Sequence, residues 1–226
     1  MILLVAYQAY RFVRAFIHGT AHQAAVHARQ VIRLERALGI FHERAVQRPF
    51  VHATAFLRFW DTWYGAMHFA GPVVGLAVLY VTSPSAYRQW RNVLGFVLLA
   101  SLVGFALYPL LPPRLLPPVY GFVDSGARYG GIGPIGKDVA AGALNAYAAM
   151  PSLHLAWSTW AACALWGRVR TRWARPLLLA WPLAMVFAVT VTANHYFVDC
   201  LAGVATVGVA YGLERARQAL MAPRVR

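Results

Sequence analysis

The chain has 226 residues, of which 60% are hydrophobic and only 12% are charged. Its mean hydropathy of +0.52 exceeds what a soluble domain of this size needs to fill one core. The composition therefore excludes an ordinary soluble domain and predicts a membrane protein.

The net charge of +14 would indicate nucleic-acid binding on a soluble domain. Many of the arginines flank apolar segments, so we interpret them as topology signals and headgroup contacts and expect no nucleic-acid partner.

Long apolar runs bounded by Arg, Pro or Gly predict membrane helices, because about 20 helical residues cross a hydrocarbon layer of roughly 30 Å. The predicted spans are residues 1–17, 61–82, 92–109, 152–167, 175–193 and 195–213. The first run is short and carries Arg11 and Arg14, so five spans with an interfacial first segment is the alternative. We expect one all-α domain over residues 1–226, a polytopic membrane helix bundle of about six transmembrane helices.

An N-terminal segment, residues 20–48, is predicted to lie on the membrane surface. Apolar side chains recur there at helical spacing between polar ones, at Val31, Leu34, Leu38 and Phe41. This pattern is typical of an amphipathic helix that lies in the interface and does not cross the membrane.

The connection over residues 109–150 is rich in Pro and Gly, which predicts irregular backbone at one membrane face. The loop at residues 168–175 carries four arginines and the C-terminal tail carries four more. The positive-inside rule places this loop and the tail in the cytoplasm. With six spans, the 109–150 connection and the starts of the fourth and sixth spans then face outward. The basic residues of segment 20–60 would face outward too, against the rule.

Acidic residues are scarce, seven in all, and Asp199 lies inside the last predicted span. An ionisable group at membrane depth is costly and needs a partner or a cavity. His195 precedes Asp199 by four residues, which in a helix places both side chains on one face. The carboxylate can then accept a hydrogen bond from one imidazole nitrogen, and the other nitrogen is left available as a nucleophile.

A second cluster, MPSLHLAW, opens another predicted span with Pro151, Ser152 and His154. Ser before a helix is an ordinary cap, and Pro in a first turn is structurally ordinary too. A capped helix start also presents free backbone N–H groups and the positive end of the helix dipole, which suit a phosphate. The two clusters together favour a catalytic site over a structural polar pair.

Other interpretations of the His–Asp pair stay open at the level of these residues. The two side chains could satisfy each other inside a helix bundle. They could relay protons in a small transporter or lipid carrier, although the chain shows no internal repeat of the kind common in transporters. The pair could also be retained as scaffold in a non-catalytic membrane interaction protein.

The string PSLH, followed about forty residues later by NHYFVD, resembles the second and third signature motifs of the type 2 phosphatidic acid phosphatase superfamily. The likeness is closer to its inositol phosphorylceramide synthase branch, in which Pro-Ser-Leu-His and His-Tyr-Phe-Val-Asp both occur. The resemblance covers about Arg88 to Gly212. The strings RLERALGIFHE and PPRLLPP, which are similar to segments of bacterial members of that branch, extend it weakly over most of the chain.

The resemblance implies a phosphohistidine mechanism on a lipid phosphate ester. His195 would attack phosphorus, Asp199 would orient it, and His154 would protonate the leaving oxygen. Water or an alcohol acceptor would then take the phosphoryl group, which makes the protein a lipid phosphatase or phosphotransferase. The expected phosphate-binding residues are Arg114, Ser152 and Asn194, with Arg128 and Lys137 behind them.

Two of the motifs depart from the pattern of the broader superfamily. Leu107 stands where its first motif has a lysine, and Ala188 and Val189 stand where its third motif opens with Ser-Arg. The usual cationic phosphate cradle is thus incomplete. Because a phosphodiester carries less charge than a monoester and needs fewer cations, these departures favour transfer over simple monoester hydrolysis.

No metal site and no cofactor are expected. His18, His22 and His27 recur at near-helical spacing, but no nearby cysteine or paired carboxylates complete a ligand set. We expect an integral protein of the plasma membrane whose partners are the membrane and a lipid phosphate substrate. The active site is expected on the extracytoplasmic side.

Overall fold

The computed structural model describes residues 19–129 and 146–222. These residues form α-helices joined by turns and by a longer irregular connection over residues 108–124, and they contain no strand, so the predicted all-α fold is confirmed. In chain order the helices are α1 (Ala21–Ala37), α2 (Glu43–Gln47), α3 (Thr54–Thr82), α4 (Pro84–Leu107), α5 (Ser125–Tyr129), α6 (Leu153–Trp166), α7 (Arg175–Val191) and α8 (Phe197–Met221).

Four of the described helices are long and apolar enough to cross a membrane, which indicates an integral membrane protein. They are α3, α4, α7 with the turn that precedes it, and α8. They correspond to the predicted spans 61–82, 92–109, 175–193 and 195–213, although α3 and α4 begin earlier and α8 ends later. The predicted first span, residues 1–17, lies outside the described residues.

Helix α6 lies at the centre of the bundle and packs against all four long helices. Its 14 residues are about 21 Å long at 1.5 Å per residue, which is shorter than a hydrocarbon layer. Ten of these residues are buried, and the helix carries apolar side chains of its own on every face. The predicted span 152–167 is therefore an enclosed central helix, and the four longer helices shield it.

The face of the N-terminal segment that packs on the bundle is not the one that its apolar pattern predicted. Ala24, Ala28, Val31 and Ile32 form the buried face of α1, whereas Leu34 and Leu38 are 48% and 60% exposed. Small alanines allow a closer approach than leucine, so the protein contact uses the alanine face and the leucines point outward. The predicted continuous helix over residues 20–48 is also interrupted, because Gly39 takes a left-handed conformation with φ of 71° and ends α1.

The starts of α6 and α8 touch through their backbones. The Ser152 N–H donates a hydrogen bond to the Asp199 carbonyl oxygen at 3.0 Å. A Cβ added at Gly203, one turn further along α8, would overlap the Ser152 carbonyl oxygen and lie 3.3 Å from the Ala156 nitrogen. The absence of a side chain at Gly203 therefore permits the contact that joins these two helices.

Gly203→Ala should destabilise the protein, because the new methyl group has to displace backbone and not a flexible side chain. We expect a loss of about 1–3 kcal/mol, seen as a lowered Tm in detergent. Gly208→Ala is the matched control on the same helix, since a Cβ there meets nothing within 4 Å. An equal Tm for the two variants would contradict this account of the α6–α8 contact.

Candidate active site

His195 and Asp199 form a buried hydrogen-bonded pair at the start of α8. The distance from His195 Nδ1 to Asp199 Oδ2 is 3.1 Å, and the two residues are 5% and 0% exposed. His195 precedes the helix, which begins at Phe197, so the predicted arrangement of both residues on one helical face is wrong. The pair forms across the helix start instead. With Nδ1–H donating to Asp199, the lone pair of His195 Nε2 stays available.

The turn between α7 and α8 sets the position of His195. Helix α7 ends in a Schellman motif, in which the Asn194 N–H bonds to the Val189 carbonyl and the Ala193 N–H bonds to the Thr190 carbonyl. Ala193 occupies the left-handed position with φ of 54°, where glycine is usual. The sharp reversal delivers His195 to the start of the next helix within two residues.

His154 faces His195 from the first turn of α6. Its Nδ1 lies 3.4 Å from His195 Nε2, although 41 residues separate the two histidines along the chain. The imidazole of His154 stacks on Tyr64 with ring centroids 4.0 Å apart and also contacts the ring of His68. The structure thus brings the three predicted catalytic side chains together and adds two aromatic supports from α3.

Arg114 is held beside this pair by the chain that precedes His195. Its Nε donates to Asn194 Oδ1 at 2.9 Å, its Nη1 pairs with Asp124 Oδ2 at 3.1 Å, and its backbone N–H donates to the Ala193 carbonyl. Within the described residues its Nη2 makes no hydrogen bond. The guanidinium is therefore fixed in direction, and its partner Asn194 is one residue from the candidate nucleophile in the α7–α8 turn.

Asn194 and Ser152 were predicted to bind phosphate, and both already make hydrogen bonds within the protein. The Asn194 amide accepts from Arg114 and donates to the Thr192 hydroxyl at 2.8 Å. The Ser152 hydroxyl caps α6 by accepting from the Leu155 N–H at 3.5 Å. Their observed contacts position Arg114 and the start of α6.

Two acidic residues near Arg114 were missed by the sequence interpretation. Asp124 forms the ion pair with Arg114 and also accepts from the Ala127 N–H. Asp61, one turn before Tyr64 on α3, accepts from the Ser125 hydroxyl at 3.1 Å. The scarcity of acidic residues in so apolar a chain was the signal that could have singled them out.

Other predicted residues lie away from this cluster or outside the described ranges. Arg128 is exposed and its guanidinium lies over the Tyr129 ring. His27 bonds to the Pro109 carbonyl at 2.7 Å and stacks on Tyr108. Lys137 and His18 lie outside the described residues. Over residues 19–129 and 146–222, no group of three or more His, Cys, Asp or Glu side chains is arranged to hold a metal ion.

The fold and the site together define an integral membrane helix bundle with a His–Asp pair facing a second histidine at one end. A family model of the PAP2 superfamily matches residues 29–213. The match covers most of the chain, so the protein belongs to the PAP2 superfamily, the type 2 phosphatidic acid phosphatase superfamily. Membership supports a phosphatase-type activity in general. No curated protein and no solved structure matches the chain.

Arg114→Ala should weaken binding of orthovanadate, a phosphate analogue, because it removes the cation fixed beside His195. Hydrogen bonds to charged groups contribute about 1.5–3 kcal/mol, so we expect the vanadate Kd to rise roughly tenfold to a hundredfold. Arg128→Ala removes an exposed arginine of the same loop region and should leave the Kd unchanged. Equal effects of the two substitutions would show that Arg114 acts only through the overall charge.

Proposed function

We propose that this protein is a membrane-embedded lipid phosphotransferase or phosphatase that works through a phosphohistidine on His195. The observation that carries the proposal is the line of contacts from Asp199 through His195 to His154. In this arrangement one imidazole is oriented by a buried carboxylate, and a second imidazole lies within hydrogen-bonding distance of its other nitrogen. A nucleophile, an orienting group and a separate acid/base are what a two-step displacement requires.

In the first step, His195 Nε2 attacks phosphorus and the bond from phosphorus to the leaving oxygen breaks. His154 donates its proton to that oxygen, and Asp199 stabilises the charge that develops on the His195 ring. In the second step, His154 takes a proton from water or an alcohol, whose oxygen attacks phosphorus while the P–N bond breaks. His195 and His154 then return to their starting protonation states.

The two imidazoles have to separate when substrate binds. The 3.4 Å between His195 Nε2 and His154 Nδ1 leaves no room for a phosphoryl group and its leaving oxygen. A buried carboxylate holds His195 by a directional hydrogen bond, and His154 packs on the rings of Tyr64 and His68. We infer that the two imidazoles move apart to admit the phosphate.

An apolar groove beside the site supports a lipid as substrate. A cavity of about 410 Å³ is lined by α6, α7, α8 and the segment before α2, and its lining includes Leu155 and Cys200, which follow His154 and Asp199 in sequence. Val204 and Leu201, further along α8, line the same groove and are 42% and 62% exposed. An acyl chain in this groove would place its phosphate end toward the histidines.

The charge around the site supports a donor of low charge. Asp124 pairs with Arg114 and offsets part of its positive charge. A phosphodiester carries one negative charge less than the dianion of a monoester, so it matches the reduced positive charge at Arg114 better. We therefore place transfer of a phospho-headgroup to an alcohol acceptor ahead of monoester hydrolysis. His195 supplies the nucleophile and His154 the proton transfer, so the proposed mechanism needs no metal and no cofactor.

The arginines at the end of the bundle opposite the site support an extracytoplasmic site, whereas those of segment 20–60 lie at the site end and run against the positive-inside rule. The proposed location is the plasma membrane. The starts of α6 and α8 lie at the site end, and the arginine-rich turn between α6 and α7 lies at the other end of the bundle. Glu214 near the end of α8 bonds to Asn92 near the start of α4, which places Arg91 and Arg217 at that other end too. The positive-inside rule assigns this end to the cytoplasm.

His195→Ala should abolish release or transfer of the phosphoryl group from a panel of lipid monoesters and diesters assayed in EDTA. We expect a loss of roughly a thousandfold or more in kcat/KM, because no covalent intermediate can form. His154→Ala should lose about 10²–10⁴-fold through the missing acid/base. Exposed His52→Ala is the control and should keep full activity.

Two outcomes of that assay would contradict the mechanism. Activity unchanged in His195→Ala would exclude it as nucleophile, and activity restored only by added metal would exclude the metal-free pathway. Adding an alcohol acceptor separates the reactions: a transferase forms the new diester faster than it releases phosphate, whereas a hydrolase does not.

Val204→Trp should narrow the groove and raise KM for long-chain lipid substrates by about tenfold, with little change for a short-chain soluble analogue. The matched control is Val209→Trp on the same helix, where the residue is exposed and does not line the groove. The measurement is KM against chain length for both variants. An equal rise in KM for short and long chains would show that the groove does not hold the acyl chain.

A further inference from the structure

Two carboxylates from the N-terminal segment cap the helix that carries Asp199. The Val198 N–H donates to Glu35 Oε1 at 2.7 Å, and the Phe197 N–H donates to Glu43 Oε1 at 3.0 Å. The first N–H groups of a helix have no partner within it, so Glu35 and Glu43 satisfy two of them in α8. Both glutamates are fully buried. The start of α8 is thereby tied to α1 and α2.

The turn after α1 brings the two glutamates together. Gly39 ends α1 in a Schellman motif, in which the Ile40 N–H bonds to the Glu35 carbonyl and the Gly39 N–H bonds to the Arg36 carbonyl. The left-handed glycine reverses the chain, so Glu43 returns to the helix start that Glu35 already contacts. This local geometry explains why two residues eight positions apart cap adjacent N–H groups.

Two buried carboxylates in contact cannot both carry a charge without a large cost. Burial, together with a hydrogen bond to Glu43, raises the pKa of Glu35 to about 9. The Oε2 atom of each glutamate is buried, and neither atom has a hydrogen-bond partner among the described residues. One proton held between the two side chains satisfies both atoms, because the protonated carboxyl then donates to the carboxylate.

We propose that Glu35 and Glu43 are positioning residues for the candidate nucleophile: they share one proton, cap α8 together and so hold Asp199 against His195. Asp199 follows Val198 directly, so the carboxylate that orients His195 sits in the same helical turn as the two capped N–H groups. The inference rests on the proposed function, because it assigns the pair an effect on His195. Neither glutamate reaches the phosphate.

The pair predicts an alkaline limit to activity. The titratable groups that face Glu35 are Glu43 on α2, Asp199 and Cys200 on α8, and Tyr196 before α8. Each of these four groups is either negatively charged or becomes so when it loses a proton. Burial raises the pKa of Tyr196, so the tyrosine stays neutral to a higher pH than usual. Loss of the shared proton therefore adds repulsion at the helix start, where the neighbouring imidazole of His195 is already paired with Asp199.

Glu35→Gln is the decisive variant, because glutamine keeps an oxygen that accepts from Val198 and supplies an N–H that donates to Glu43. We expect kcat within about twofold of wild type near pH 7. Wild type should lose activity above pH 9, about tenfold at pH 10, where about one tenth of Glu35 stays protonated. Glu35→Gln should retain activity there, because it cannot ionise.

Glu35→Ala removes the cap and should lower kcat at least about tenfold with little change in KM, since the substrate contacts stay in place. Glu214→Gln is the matched control, a buried carboxylate at the far end of α8, and should keep the wild-type pH profile. The same alkaline loss in Glu35→Gln and wild type would overturn the shared proton. A folded Glu35→Ala with wild-type kcat would overturn the positioning role.

The pH dependence of the Tm, which does not depend on enzymatic activity, tests this inference separately from the proposed function. The raised pKa of Glu35 contributes stability that is complete below its ordinary value of 4.5 and is lost as the pH rises to about 9. Wild-type Tm should therefore fall over this interval, and the fall should be smaller in Glu35→Gln. Lack of phosphoester activity with this Tm difference present would refute the function alone, whereas equal Tm profiles would refute the proton-sharing pair.

Discussion

The backbone contact between the starts of α6 and α8 is the constraint on which the site depends. The Ser152 N–H bonds to the Asp199 carbonyl, and Gly203 leaves space for the Ser152 backbone. Because the two first turns meet there, His154 on α6 faces His195 just before α8. Helix starts also gather positive dipole ends at one place, which suits a phosphate. This one backbone contact therefore sets both the distance between the two histidines and the electrostatic field around them.

The central helix explains why this contact sits where it does. Helix α6 is short and apolar on every side, so four longer helices can enclose it. Its first turn meets that of α8, where the Asp199 carboxylate is fully buried away from water. In such surroundings a hydrogen bond from an imidazole is strong, and an unpaired charge is costly. The pairing of Asp199 with His195 is thus a structural requirement as well as the basis of the proposed mechanism.

The acidic residues of the described segments are few, and each one has a defined partner. Asp124 pairs with Arg114, Asp61 accepts from Ser125, and Asp199 accepts from His195. Glu35 and Glu43 cap the first turn of α8 from the N-terminal segment. Among these described acidic residues only Glu214 belongs to the far end, where it bonds to Arg217 and Asn92. Acidic side chains are therefore concentrated around the site in a strongly basic chain.

The sequence by itself determined the class of fold and the identity of the candidate catalytic residues. Apolar runs of membrane length predict helices whatever their neighbours, because every backbone polar group in lipid needs a partner within its own segment. The spacing of His195 and Asp199 also predicted their hydrogen bond, although the wrong geometry was assigned to it. The two motifs singled out His154 and Ser152 by their local sequence alone.

Only the tertiary structure decided which groups meet from distant parts of the chain. The contacts of Arg114 with Asn194 and Asp124, the stacking of Tyr64 on His154 and the caps from Glu35 and Glu43 join segments that carry no shared local pattern. The exposed Leu34 and the buried Glu35 invert what side-chain hydrophobicity predicts for α1. Hydrophobic periodicity reports the average preference of a face, whereas a buried carboxylate is favourable only when a particular donor, here the Val198 N–H, lies opposite it.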